Sequence, residues 1–103
     1  MKVIWSDFAE SQLDEIYDYN KKNASPSIAN KLVKEIINEA QKLRKAPLIG
    51  QVEEFLKHRK IKYRYFIFKN YKIIYSEDLQ EGLIRIYDVF DTRQNPPKLK
   101  RNG

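Results

Sequence analysis

The 103-residue chain has no cysteine, one histidine and three glycines. Without cysteine there is no disulfide framework and no thiol nucleophile. One histidine and no cysteine cannot make a usual zinc site, and three scattered glycines form no phosphate-cradling loop. No apolar run approaches the ~18 residues of a membrane-spanning helix. Met1–Trp5 also lacks the apolar core of a signal segment. The expectation is a cytoplasmic protein with no metal, no cofactor and no membrane partner. Long acidic runs are absent too. From Lys57 to Lys72 there are seven Lys/Arg and no acid, and from Arg93 to Gly103 four more cations and no acid.

What is present is globular in kind. Hydrophobic residues make up 42% and aromatics 13% of the chain, enough for one modest core and too many for disorder. The length fits a single domain, residues 1–103, with 93–103 a basic C-terminal tail. The net charge of +6 is unevenly spread. Residues 1–56 hold eight bases and nine acids, and residues 73–92 one base and five acids. Two basic segments therefore flank an acidic one. This pattern points to a polyanion or an acidic protein as partner.

The hydrophobic period changes near Gly50. Lys2–Trp5 reads as a strand. Ser6 follows as a helix cap, with Asp7 and Glu10 favourable in the first turn. Ala9, Leu13, Ile16, Tyr17 and Asn20 share one helical face. Ser25–Pro26 restarts a helix whose stripe runs Ala29, Leu32, Val33, Ile36, Ile37, Ala40, Leu43. The expected helices, 7–21 and 26–45, form an antiparallel hairpin. Strands follow at 62–68, 71–76 and 83–90. Lys69–Asn70 between the first two reads as a tight turn. The expected fold class is α+β: an N-terminal strand, an antiparallel helical hairpin, then an antiparallel β-meander packed on the helices.

Candidate chemistry is confined to cations and tyrosines near strand ends. Arginine and lysine can hold a phosphate and stabilise its transition state, and tyrosine can stack on bases or move a proton. A strict two-residue turn at Lys69–Asn70 puts Arg64 and Lys72 on opposite sheet faces, and a three-residue loop puts them together. The sequence leaves both open.

Four segments, in order, resemble the RelE/ParE superfamily of toxins from type II toxin–antitoxin pairs. Val3–Ser6 with Ala9 and Leu13 resembles its opening strand and helix. Leu43–Pro47 with Gly50 resembles its second-helix exit. Asn70–Tyr75 resembles its Tyr-Arg-Ile-hydrophobic-Tyr strand, and Asp88–Pro96 its last strand and Arg-x-x-Pro turn. The resemblance implies a compact toxin held by a cognate antitoxin. It implies one of two targets, mRNA on the ribosome or DNA gyrase. On the ribonuclease side it implies metal-independent cleavage, with Arg93, Arg64 and Lys72 as catalytic cations and Arg59, Lys62, Tyr71 and Lys98 as binding residues. The departure is the tail: Gln94–Gly103 has no Tyr or His, so the acid/base that such ribonucleases carry there is missing. The Pro96–Pro97 tail is closer to the gyrase-directed members, while the seven-cation segment favours RNA. A degenerate toxin that only binds antitoxin is the third alternative.

Overall fold

The computed structural model describes residues 1–56 and 60–93. In chain order they form β1 (Lys2–Trp5), α1 (Asp7–Asn23), α2 (Pro26–Gln41), a 3₁₀ turn (Lys42–Arg44), β2 (Gln51–Val52), a second 3₁₀ turn (Glu54–Leu56), β3 (Tyr63–Phe68), β4 (Tyr71–Asp78) and β5 (Leu83–Asp91). Both helices start where their caps place them. The Ala9 N–H donates to Ser6 Oγ at 3.0 Å and the Ile28 N–H to Ser25 Oγ at 3.1 Å, each satisfying a donor the helix cannot. Pro26 occupies the first turn of α2, where its missing N–H costs nothing.

The five strands form one sheet in the order β1-β5-β4-β3-β2. β3, β4 and β5 make the expected meander. Two features were not legible in the sequence. The two-residue strand β2 pairs with β3. β1 lies parallel to β5, with Val3 opposite Ile84 and Trp5 opposite Ile86, so the sheet is mixed. The helical hairpin covers one sheet face. Ala9, Leu13 and Ile16 of α1 and Ile36 and Ala40 of α2 pack against Tyr71, Ile73, Tyr75, Ile84, Ile86 and Val89. Burying each such isoleucine contributes about 1.5–3 kcal/mol relative to leaving it exposed. The opposite face has a smaller cluster, Leu56, Tyr63, Ile74 and Phe90, flanked by Tyr65 and Tyr87.

The β3–β4 connection is the tight form: Phe68 pairs with Tyr71 and Ile67 with Lys72. Lys69 takes a positive φ of 55° to close it, and its Nζ reaches Glu35 Oε1 on α2 at 3.0 Å. A left-handed conformation costs a non-glycine residue roughly 1–2 kcal/mol, whereas a half-exposed ion pair returns about 0–1 kcal/mol. Lys69→Gly is therefore expected to stabilise the fold by about 0.5–1 kcal/mol, read as a higher urea midpoint at unchanged slope.

β5 carries a bulge. Ile74 pairs with Asp88 but Tyr75 with Ile86, leaving Tyr87 as the extra residue. The bulge flips the alternation that follows it. Ile84 and Ile86 face the helices, and beyond the bulge so does Val89, while Asp91 sits opposite Tyr71. Ser6 holds α1 at this point: its N–H donates to the Ile86 carbonyl at 3.0 Å and its Oγ to the Tyr87 carbonyl at 3.2 Å.

A candidate site where the last strand meets the first helix

From Ser6, α1 runs along β5 toward the β3–β4 turn and leaves a cleft of about 440 Å³ between them. Its floor is apolar, from Ile16, Tyr71 and Val89, and its rim polar, from Gln12, Glu15, Tyr19, Asn20, Asp91 and Arg93. Tyr71 is buried on the helix side of the sheet, whereas Tyr19 is 62% exposed. Asn20 is fixed by donating its side-chain N–H to the Ile16 carbonyl at 2.8 Å.

Arg93 stands at the mouth. Its Nε donates to Asp91 Oδ1 at 2.9 Å, its Nη2 to Oδ2 at 2.5 Å, and its backbone N–H to Oδ1 at 2.8 Å. Thr92 anchors the turn from the other side, giving both its N–H (2.7 Å) and its hydroxyl (3.0 Å) to the Asn70 carbonyl. The guanidinium is thus oriented but still 70% exposed. The hydrogen bond from the Arg93 side chain is the main reason the Asp91 carboxyl is lowered to about 2.

That shift has a signed consequence. A carboxyl lowered in the folded state adds stability that is present above the unfolded value, near 3.8, and lost as pH falls through about 2. The Asp91–Arg93 clamp should therefore be insensitive to pH between 5 and 8 and open only as pH falls through about 2. Titration of the Asp91 carboxyl carbon by NMR checks this; a midpoint at or above the ordinary 3.8 contradicts it.

The other sequence-nominated cations lie elsewhere. Arg64 pairs across the sheet with Tyr75 on the helix face, four residues up β3 from the hairpin end, or roughly 13 Å. Its Nη1 donates to the Gly50 carbonyl at 3.0 Å and its Nε lies 3.7 Å from Glu77 Oε1. Lys72 is on the opposite face, opposite Phe90. Its Nζ is 2.6 Å from Glu53 Oε2 and 4.1 Å from the Tyr65 ring centre. Glu53 is 2% exposed and Lys72 15%. Lys62 is exposed just before β3. Arg59 and Lys98, with His58, fall outside the described residues. The structure thus brings together Arg93 and Tyr71 at the cleft and separates both from Arg64 and Lys72.

Sequence reasoning missed the α1 side of the cleft: Gln12, Glu15 and Tyr19. One signal was available, because Tyr19 is a large aromatic outside the apolar stripe of its helix. No cluster of three or more metal-ligating side chains occurs among the described residues.

A family model described as the ParE toxin of the type II toxin–antitoxin system parDE matches residues 3–96. Among solved structures, a chromosomal ParDE toxin–antitoxin system from P. aeruginosa superposes with a TM-score of 0.72. The match covers 88% of this chain and 95% of that one at 19% identity, a likeness of fold. No curated protein matches the chain at a significant level.

Proposed function

The chain belongs to the ParE toxin family of type II toxin–antitoxin systems, and we propose that it acts by binding a protein target, DNA gyrase, rather than by cutting RNA. The family implies an antitoxin as its controlling partner. The observation that carries the reading is the dispersal of the cations. A ribonuclease of this size needs several converging on one phosphate, together with an acid/base. Arg93, Arg64 and Lys72 instead occupy three places, each beside its own carboxylate: Asp91, Glu77 and Glu53.

The cleft suits protein binding better. An exposed tyrosine and an oriented, exposed arginine beside an apolar floor are the residue types that anchor protein interfaces. The second reading, metal-independent cleavage of ribosome-bound mRNA, rests on the seven cations of residues 57–72.

Two assays on the purified protein separate them. Supercoiling by gyrase should be blocked at concentrations that leave mRNA on translating ribosomes intact by primer extension. Codon-spaced cuts with normal supercoiling would overturn the proposal in favour of the ribonuclease. Neither effect, with antitoxin still bound, would identify a degenerate toxin.

A further inference from the structure

The sheet ends at β1, and that edge is open. The Lys2 N–H donates to the Gly82 carbonyl at 2.9 Å and the Ser6 N–H to the Ile86 carbonyl at 3.0 Å. Along a parallel ladder the bonding residues alternate, so Lys2 and Ile4 turn their backbone groups to β5 while Val3 and Trp5 turn theirs outward. No described residue pairs with those outward groups. Sheet edges are ordinarily defended by shortness, charge, proline, a bulge or a covering segment. β1 is short, four residues, and has Lys2, but no proline or bulge.

The surroundings of this edge are basic. The 3₁₀ turn Lys42–Arg44 packs beside β1. Lys42 is paired with Glu39, but Arg44 and the adjoining Lys45 are exposed, and the Arg44 Nε–H makes only a 3.3 Å bond to the Gln41 carbonyl. A nucleic acid's phosphates could meet these cations, but phosphates accept only and would leave the outward carbonyls of Val3 and Trp5 unpaired. An extended peptide offers donors and acceptors alternately and satisfies both.

We propose that β1 is an antitoxin-docking edge: an extended, acidic segment of the antitoxin adds to the sheet as a sixth strand. It hydrogen-bonds to Val3 and Trp5 and sets its carboxylates against Lys2, Arg44 and Lys45. The assignment rests on the toxin–antitoxin reading and is independent of the target in the cell.

The test uses the full-length protein, free and co-purified with the protein encoded by the adjoining reading frame. In the complex the Val3 and Trp5 amides should exchange with solvent more slowly, on the order of 100-fold. Val3→Pro removes one outward donor without touching the ladder to β5, a position where proline is tolerated. It should inhibit gyrase as the wild type does, yet bind antitoxin at least about tenfold more weakly. If Val3→Pro fails to fold, the Arg44→Glu/Lys45→Glu protein serves instead, with a similar loss in affinity and a weaker dependence on salt. A complex in which Val3 and Trp5 exchange as fast as in the free toxin overturns the assignment alone. If the two proteins form no complex, the antitoxin reading falls with it, whatever the gyrase assay gives.

Discussion

Gly50→Ala should destabilise this protein severely. A Cβ at position 50 would lie 2.6 Å from the Tyr75 hydroxyl, 2.7 Å from the Tyr65 carbonyl oxygen and 2.8 Å from Tyr75 Cε1. One of those atoms is backbone in a paired strand, and the others belong to a ring that is completely buried. The ring cannot swing aside, because its hydroxyl is the clasp of the segment leaving α2. The Gly50 N–H donates to it at 2.9 Å, and it donates to the Pro47 carbonyl at 2.7 Å. Arg64 completes the clasp on the Gly50 carbonyl. Moving Gly50 outward therefore breaks bonds whose partners stay buried. Overpacking costs about 1–3 kcal/mol and an orphaned buried polar group about 1–3 kcal/mol more. The sum, roughly 3 kcal/mol or more, lowers the melting temperature of a domain this size by on the order of 15 °C. Thermal melting followed by circular dichroism measures it. A loss of only a few degrees would mean that the 46–52 segment can be repositioned cheaply. Burial raises the pKa of the Tyr75 hydroxyl, and the Gly50 N–H of the clasp only partly offsets this.

Arg93→Ala should do the reverse, leaving the fold and weakening the action. The side chain is solvent-exposed, and among the described residues its hydrogen-bond partner is Asp91, which is 16% exposed and keeps the backbone N–H of position 93 as a donor after the substitution. Under the gyrase reading the loss resembles removal of an arginine hot spot, so the concentration for half-inhibition should rise roughly 30-fold or more. Arg93→Lys should recover little, because a lysine cannot make the two-pronged contact with Asp91 that aims the guanidinium. Melting and inhibition are measured on the same preparations. Unchanged inhibition by a normally folded Arg93→Ala protein would remove this residue, and the mouth of the cleft, from the site.

The order and type of the main elements were legible because each rests on local chemistry. Ser6 and Ser25 are caps whatever packs above them. The stripe from Ala29 to Leu43 is helical by spacing, although its last turn tightens to 3₁₀ after Gln41. The strands of the meander follow from aromatic and branched residues around a two-residue turn. Arg93 could be placed at a strand end for the same reason, since Thr92 to Pro97 cannot continue a ladder. What the sequence could not determine depends on register. Whether Arg64 and Lys72 share a face turns on one residue in the loop at Lys69–Asn70, and the pairing of Phe68 with Tyr71 puts them apart. A period-2 reading forward from Ile84 and Ile86 would send Asp88 and Phe90 into the core. The bulge at Tyr87 sends Val89 there instead and turns Asp91 toward α1. That bulge has no signature in the local sequence; it coincides with the point where Ser6 ties the start of α1 to Ile86 and Tyr87, residues 80 and more positions away. Local propensity thus determined which residues become helix and strand. The register of β3, β4 and β5, bulge included, decided which of those residues meet at the cleft.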